Sequence, residues 1–278
     1  MYPVTLKMFE PHTSKADIIK QEKLRLYKES IQFAFINNQS QNKKGTIKFK
    51  KMPNNKKIPL TLGYINVVSN YNSKKLNQNY ILNYKSLSPT NLGPVNHNMP
   101  NLPPSLNLEN FWNFSKVWHF ELDPETDMNE LQPVFFQKRI KGYLLEKPIK
   151  SKYTFDQIKA FDGPVNPECA IYYDKYGQPI KYDYIQSRYF YCHYYQQLVS
   201  QVREFNIIKK KLQMGYNIII YSDKGFTEND KYYQMYVDPT KPFKHEMILY
   251  IMLKEPNPDK YPWNIYYKIY RKIYQNVI

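Results

Sequence analysis

The first part of the chain combines a helical pattern with two strand-like segments. GTIKFKKM alternates apolar and polar residues and predicts a strand, and KIPLTLGYINVVS predicts a second, more buried strand. Residues 81–106, which are rich in proline and asparagine, predict a long irregular loop. Before the strands, a helix is expected from Ser14 to Ile36, capped by Ser14 or Asp17, with these residues on its apolar side: Ile18, Leu24, Tyr27, Ile31, Ala34 and Phe35.

Helical patterns and a hairpin follow the loop. Asn107 is suited to cap a helix that runs to about Trp118. Asn129–Lys141 predicts another helix, with Pro133 in the first turn, where proline is tolerated. The segment AIYYDKYGQPIKYDY predicts a hairpin that turns at Gly177.

The last part of the chain is mostly helical. Asp183 is suited to cap a long helix that breaks near Ser200 and is stopped by Gly215. A buried strand is expected at Asn217–Tyr221, because four of its five residues are apolar or aromatic. Two more helices are predicted at Lys244–Leu253 and Tyr261–Val277.

Helices and strands are mixed along the chain without a regular strand–helix–strand alternation. This order predicts a single α+β domain with a mixed sheet flanked by helices. The N-terminal helix and a hairpin are expected to form an extension over residues 1–80. The main domain is expected at residues 81–255, and a C-terminal helix at residues 256–278.

The composition indicates a folded protein. Aromatic residues make up 17% of the 278 residues, and they supply the burial that disordered chains lack. Only 8 glycines are present, so a glycine-rich phosphate loop is not expected. The two cysteines form no zinc motif and no disulfide framework, which predicts no metal and favours a cytoplasmic setting. Neither a signal peptide nor a membrane-spanning segment is apparent, so no membrane partner is expected. The sequence also has no Walker loop and no dinucleotide fingerprint, and no cofactor is expected.

The net charge of +16 permits two interpretations. A polyanion partner, such as nucleic acid, would be attracted to a surface rich in lysine. A strongly AT-rich genome would also enrich lysine, asparagine, tyrosine, isoleucine and phenylalanine without selection for binding. The lysines are concentrated in the first 75 residues and at 209–211, and arginine is scarce. The sequence leaves both interpretations open.

The helix after the loop carries the strongest candidate for chemistry. Glu109 and Lys116 are seven residues apart and return to nearly the same side of a helix after two turns, with Trp112 between them. A carboxylate, an aromatic plate and an ammonium in one direction suit a stacked base, a bound phosphate and acid–base work. The alternative is an amphipathic helix with its charges in water.

Three further residues are candidates on local grounds. Asp223 follows the buried strand, and ligands often bind just beyond such strand ends, although Asp-Lys-Gly is also an ordinary turn. Arg188, on the tyrosine-rich helix, is a candidate for phosphate binding or for packing along its apolar stem. His245 begins the apolar helix HEMILYIML, where donors meet anions, or where it is structural.

Two motifs carry a family resemblance. SLSPTNLGPV followed by NLENFWNFSKVW resembles proteins of phages and large DNA viruses. More distantly, the order resembles the NADAR superfamily, whose helix has a glutamate, then aromatics, and a lysine seven residues on. Asn110 stands where that family has histidine or glutamine, Gly225-Phe226 where it has tryptophan-glycine, and His245 where its last helix begins with asparagines.

The resemblance implies a NADAR-like fold over residues 81–255 and an ADP-ribose-type or nucleotide-like ligand. The implied reaction is hydrolysis of an N-glycosidic bond, with Glu109 as the acid–base residue and Asp223 as the residue that positions ribose or water. Trp112 would stack the base, and Lys116, Arg188 and His245 would bind the rest of the ligand. The alternative is a non-enzymatic basic viral protein that binds nucleic acid or belongs to the virion. Host cytoplasm or virion is the implied location.

Overall fold

A computed structural model of the protein describes residues 14–53, 58–69, 81–161, 164–223, 231–274 and 277. Helices and two small sheets are mixed in this part of the chain, which confirms the α+β class. The strands are β1 Ile47–Lys51, β2 Tyr64–Val68, β3 Ile81–Asn83, β4 Lys116–Val117, β5 Cys169–Tyr173, β6 Pro179–Tyr182 and β7 Asn217–Ser222. The helices are α1 Lys15–Ser40, α2 Leu108–Ser115, α3 Pro133–Tyr143, α4 Phe155–Ala160, α5 Tyr184–Ser200, α6 Arg203–Gln213, α7 Tyr232–Val237, α8 His245–Lys254, α9 Pro262–Ile269 and α10 Arg271–Tyr274.

The larger sheet has the order β1-β7-β2-β3 and is parallel throughout. The prediction of an N-terminal hairpin is therefore wrong, because β1 and β2 lie on either side of β7 and run in the same direction as it. The apolar strand β7 needs hydrogen-bonding neighbours on both edges, and the two N-terminal strands supply them. Its residues Ile218, Ile219 and Ile220 are fully buried. Strand pairing thus joins residues before and after position 80.

The smaller sheet is antiparallel, in the order β4-β5-β6. β5 and β6 form the hairpin that was predicted around Gly177, and this glycine has a positive φ of 82°. The Asp174 carboxylate closes the turn by accepting hydrogen bonds from the backbone N–H groups of Tyr176 and Gln178, both at 2.8 Å. Aspartate and glycine thus fix the turn as their conformational preferences require.

The helix boundaries agree with most of the predicted signals. The Ser14 hydroxyl caps α1, the long helix breaks after Ser200, and Gly215 adopts a φ of 107° after α6. The last predicted helix is instead divided into α9 and α10, with a break at Tyr270. The C-terminal helices pack on α5, since the Tyr274 hydroxyl donates to the Gln186 carbonyl at 2.9 Å.

Helix α2 is held at its start by the loop that precedes it. The Asn107 side chain caps the helix by accepting from the Asn110 N–H at 2.9 Å. The N–H groups of Leu108 and Glu109 donate to the carbonyls of Leu92 and Pro89, at 2.8 and 3.2 Å. A Cβ on Gly93 would lie 2.3 Å from the Leu106 carbonyl oxygen, so the close approach of the two backbones requires glycine here. The Ser-Pro-Thr-Asn-Leu-Gly motif therefore has a structural role, since it holds the first turn of α2 in place.

Helix α2 ends at Ser115, three residues before the predicted end at Trp118. Lys116 is already extended, with φ −67° and ψ 142°, and pairs with Ala170 in β5. The fully buried guanidinium of Arg139 donates to the carbonyls of Phe114 and Ser115, at 2.9 and 3.2 Å. These contacts satisfy the terminal carbonyls and turn the chain from helix into strand.

Candidate functional site

Several elements meet around one cavity of about 440 Å³: α2, the carboxyl end of β7, the middle of α5 and the start of α8. Glu109, Trp112 and Asp223 line it, and Thr90 reaches it from the irregular loop before α2. All six residues singled out from the sequence are among its lining residues: Glu109, Trp112, Lys116, Arg188, Asp223 and His245.

Asn113 links Glu109 of α2 to Lys116, the first residue of β4. Its amide nitrogen donates to Glu109 Oε1 at 3.1 Å and to the Ile149 carbonyl at 2.7 Å. Its amide oxygen accepts from Lys116 Nζ at 3.0 Å. Helical spacing places Glu109 and Asn113 on one face, and the extended backbone after Ser115 still directs Lys116 towards them. The result is a continuous carboxylate–amide–ammonium chain along the cavity.

Partial burial changes the proton affinity of both ends of this chain. Loss of solvent raises the pKa of Glu109, although the Asn113 hydrogen bond and the charges of Lys116, Lys150 and Lys244 oppose the shift. Burial also lowers the pKa of Lys116 to about 8, and the nearby charge of Glu109 opposes this. An acid that retains its proton longer and a lysine that loses it sooner are typical of functional sites.

Trp112 borders the cavity with its indole ring partly covered. The Lys116 ammonium lies 4.7 Å from the ring centroid, and the Tyr191 ring lies 5.1 Å away at an angle of 47°. A cation over an indole is a favourable contact. A base that stacks on Trp112 therefore shares the ring with Lys116 or displaces it.

Arg188 is committed to the protein itself. Its Nη1 donates to the carbonyls of Tyr236 and Asp238 at 2.6 and 3.1 Å, and its Nη2 donates to the Lys241 carbonyl at 2.6 Å. Only 2% of the residue is exposed, although Nε has no hydrogen-bond partner. These bonds hold the end of α7 against α5. The expected phosphate contact therefore needs different cations, and Lys116, Lys150 and Lys244 are near Glu109.

His245 is the first residue of α8 and is also engaged. Its Nε2 lies 2.9 Å from the Ser69 hydroxyl, and its Nδ1 lies 3.4 Å from Glu246 Oε2. Burial lowers the pKa of His245, and the adjacent Glu246 opposes that shift. Both ring nitrogens of His245 therefore lie next to protein atoms, Ser69 on one side and the cavity-lining Glu246 on the other.

Asp223 lies directly after β7, as predicted, and its side chain is exposed. Burial lowers the pKa of His245, and Asp223 is close enough for its charge to oppose that shift. The neighbouring Lys224 and the Gly225-Phe226 pair lie outside the described residues. Asp223 is thus at the rim of the cavity, and Glu109 is deeper in it.

A second cavity of about 490 Å³ adjoins the first. The two share Trp112, Asn113, Lys116, Lys150 and Tyr184. They therefore form one cleft with two lobes, whose boundary carries two lysines and two aromatic rings.

A second Glu–Lys pair lies at the second lobe. Lys152 Nζ is 2.6 Å from Glu121 Oε1, and both side chains are fully buried. Glu121 also accepts from the Tyr153 hydroxyl at 2.7 Å and from the Trp118 N–H at 2.9 Å. Lys152 Nζ donates in addition to the Lys116 carbonyl at 2.8 Å. The pair is saturated with partners and supports the backbone of Lys116.

Sequence reasoning missed several residues that line the cleft. Asn113 had an available signal, because it lies four residues after Glu109 on the same helical face. Glu246 was overlooked beside His245, although carboxylates are favoured in the first turn of a helix. Tyr184 and Tyr191 were indistinguishable from the other tyrosines of α5, and Lys150 and Lys244 carried no local pattern.

Comparison with known proteins identifies no relative. No family model matches this chain, and no curated protein or solved structure is similar to it. The NADAR resemblance therefore rests on the motifs described above. Among the described residues, no helix combines the length and the apolar composition needed to cross a membrane. The same residues include no group of three or more histidine, cysteine or acidic side chains placed to hold a metal ion.

Proposed function

We propose that the cleft binds a nucleotide-like ligand of the ADP-ribose type and hydrolyses its N-glycosidic bond. The observation that carries this proposal is the Glu109–Asn113–Lys116 chain in a concave site. It provides a carboxylic acid of raised pKa 3.1 Å from an amide that also binds an ammonium group. The resemblance to the NADAR superfamily supports the same substrate class.

Glu109 is the general acid of this proposal. Cleavage of an N-glycosidic bond leaves a negative charge on the departing nitrogen unless a proton is delivered to it. A carboxyl group whose pKa is raised by burial holds its proton to a higher pH than an exposed carboxyl group does, which suits this task. The pKa of Glu109 is shifted in that direction.

The reaction balances with groups that line the cavity. A water oxygen attacks C1′ of the ribosyl group, and the C1′–N bond breaks with its electron pair going to nitrogen. Glu109 protonates that nitrogen, and a second carboxylate takes the proton of the water. Asp223 and Glu246 are the other carboxylates of the cavity. The products are the ribose hemiacetal and the free base.

The boundary between the two lobes provides for the rest of the ligand. Lys116 and Lys150 line both lobes and are suited to the phosphate groups. Tyr184, which is 44% exposed and borders both lobes, and Trp112 offer rings for a base to stack on. Arg188 is not assigned to the ligand, because its terminal nitrogens hold backbone carbonyls.

Replacement of the acid tests the proposal. Glu109→Gln keeps the shape of the side chain and an acceptor for Asn113 but removes the titrating proton. Turnover of ADP-ribosylated bases and phosphoribosyl amines is expected to fall by about 10²- to 10⁴-fold, because that is the usual contribution of general acid–base catalysis. Released base and bound ligand are measured for the same panel.

A matched control separates chemistry from binding. The exposed Glu125→Gln, outside the cleft, is expected to leave turnover unchanged. Trp112→Ala is expected to weaken ligand binding by more than it slows the bound complex, since it removes a stacking surface. A wild-type protein that binds none of the panel contradicts the ligand class, and one that binds without releasing base contradicts hydrolysis.

The surface charge supports a second candidate function, binding of nucleic acid. The chain carries a net charge of +16, and the side chains of Lys15, Lys20, Lys23 and Lys28 on α1 are exposed. These lysines do not line the cleft, so both functions are compatible.

The salt dependence of binding tests this candidate. If the lysines neutralise phosphates, affinity for a DNA or RNA duplex falls linearly with salt on logarithmic axes, by about 0.9 per phosphate contacted. Four Lys→Gln substitutions on α1 should reduce that slope without changing ligand binding in the cleft. Absence of binding at low salt would leave codon usage as the explanation of the charge.

A further inference from the structure

Glu246 is a buried carboxylate that the hydrolysis proposal has not yet used. It is the second residue of the ten-residue helix α8, is 6% exposed, and lines the same cavity as Glu109. Its Oε2 is buried without a hydrogen bond. A buried carboxylate without full hydrogen bonding costs stability, so its presence calls for a compensating role.

His245 orients this carboxylate. A carboxylate oxygen only accepts, so the proton of the imidazole belongs on Nδ1, which is 3.4 Å from Glu246 Oε2. Nε2 then accepts from the Ser69 hydroxyl at 2.9 Å. Ser69, His245 and Glu246 thus lie in a row, in which His245 is an electrostatic neighbour of the carboxylate and Oε2 keeps no hydrogen bond within the described part of the protein. Glu246 lies in the first turn of α8, at the end of that helix where a carboxylate is favoured.

The surroundings distinguish Glu246 from Asp223. Asp223 is exposed at the rim, where solvent screens its charge and water competes for its oxygens. Glu246 is buried, and it lines the same cavity as Glu109 and Tyr191. Burial raises the pKa of the Tyr191 phenol, and the charges of Glu109 and Glu246 both add to that shift. The two glutamates therefore approach one ring from α2 and from α8.

We propose that Glu246 is the general base of the cleft, that it takes the proton of the attacking water, and that His245 and Ser69 position it. This inference rests on the proposed hydrolysis and names the second carboxylate of the same site. As the water oxygen bonds to C1′, its proton passes to Glu246, while Glu109 gives its proton to the leaving nitrogen. Solvent then restores both glutamates to their starting states.

Turnover of the variants gives the first test. On an N-glycoside that the wild type hydrolyses, Glu246→Gln is expected to reduce turnover about 10²- to 10⁴-fold, whereas the control Glu125→Gln, outside the cleft, stays within about threefold. Sodium azide needs no base to attack C1′. Its addition should therefore increase the turnover of the Glu246→Gln variant at least about tenfold and form a glycosyl azide. Equal losses in both variants, or no rescue by azide, would overturn the assignment.

Variants of His245 test its positioning role. His245→Asn retains an N–H donor near Glu246, whereas His245→Leu does not. The asparagine variant is expected to keep at least about ten times the turnover of the leucine variant, with a similar KM in both. Equal turnover in the two variants would show that the donor to Glu246 contributes nothing.

A binding experiment keeps the inference testable without turnover. A protonated iminoribitol carries its positive charge where the ribosyl group develops charge, and it should bind the wild type at least about tenfold more tightly than Glu246→Gln. The control Glu125→Gln, outside the cleft, should bind it as the wild type does. Absence of wild-type binding, or equal binding by Glu246→Gln, would refute the role of Glu246. Binding with these differences but without hydrolysis of any N-glycoside would refute only the proposed reaction.

Discussion

One Glu–Lys pair faces the cleft and a second is buried beside it, and the two differ in how completely their hydrogen-bonding groups are satisfied. In the closed pair, Glu121 and Lys152 are in direct contact and neither side chain is exposed. In the open pair, Glu109 and Lys116 are joined through Asn113 and face a cavity. The residue types are the same, and the number of protein partners differs.

The difference indicates which pair serves the fold and which is available to a ligand. Glu121 accepts hydrogen bonds from a lysine, a tyrosine and a backbone N–H, so little of its bonding capacity remains for another molecule. Glu109 has one side-chain hydrogen bond, from Asn113. A saturated buried pair has its value in holding segments together, while an unsaturated pair keeps capacity for chemistry.

The largest effect on stability is expected in the closed pair. Glu121→Gln leaves the Lys152 ammonium buried without a counter-charge, which typically costs about 3–5 kcal/mol in the free energy of unfolding. Glu109→Gln should change that free energy by no more than about 1 kcal/mol, because it removes a carboxylate that burial already disfavours. Urea denaturation of the two variants measures both values.

A double variant sharpens this comparison. Glu121→Gln combined with Lys152→Met removes the stranded charge and should recover part of the lost stability. If Glu109→Gln destabilised the protein as strongly as Glu121→Gln, the distinction between a structural and a functional pair would fail.

The next effect concerns pH and a buried group outside both pairs. His97 Nε2 donates to the Pro103 carbonyl at 2.9 Å, and Nδ1 accepts from the Met99 N–H at 3.1 Å, so the ring is neutral with its proton on Nε2. Burial lowers its pKa to about 4 in the folded protein, against 6.5 for an ordinary histidine. Below pH 6.5 the unfolded chain therefore binds a proton that the folded chain excludes.

Stability should consequently fall as the pH decreases from about 6.5 to 4, by about 3 kcal/mol over that window. Burial also lowers the pKa of His193 and His245, which act in the same direction. Urea denaturation at a series of pH values measures the slope. His97→Gln should flatten it, and substitution of the exposed His119 by glutamine should not. An unchanged slope in the His97 variant would disprove the assignment.

The smallest expected effect belongs to the open pair. Lys116, with its pKa lowered to about 8, is protonated below that pH and neutral above it. Affinity for ADP-ribose should therefore fall as the pH rises through 8, by up to about tenfold per pH unit. Calorimetric titration at pH 7 to 9.5 measures this, and Lys116→Met should abolish the dependence. A pH-independent affinity in the wild type would exclude Lys116 from phosphate binding.

Local signals in the sequence identified most elements of the fold. Ser14, Asn107 and Asp183 cap helices as their side chains allow, and Gly177 and Gly215 mark a turn and a helix end. The pairing of β1 and β2 with β7 was not predictable from local signals. β1 and β2 are separated in the sheet by β7, a strand about 150 residues later in the chain, and residues 47–68 contain no local signal for that arrangement.

The candidate site divides along the same line. Glu109 and Trp112 belong to α2, and their helical spacing was sufficient to place them together, whereas Lys116 lies in β4 and reaches them from extended backbone. The roles of Arg188 and His245 depend on what packs against them. The guanidinium of Arg188 donates hydrogen bonds to three carbonyls from residues 236–241, and the imidazole of His245 is hydrogen-bonded to Ser69. Contacts between segments so distant in sequence leave no periodic trace.

Helix α2 is fastened at both ends by contacts that do not use its cavity-facing side chains. Loop carbonyls and Asn107 hold its first turn, Arg139 holds its last carbonyls, and the ring of Phe114 fills the space over Gly142. The anchoring residues and the residues at positions 109, 112 and 116 are therefore separate sets. Selection or a protein engineer can exchange the latter for other chemistries while the scaffold persists, which makes this helix a natural starting point for altering specificity.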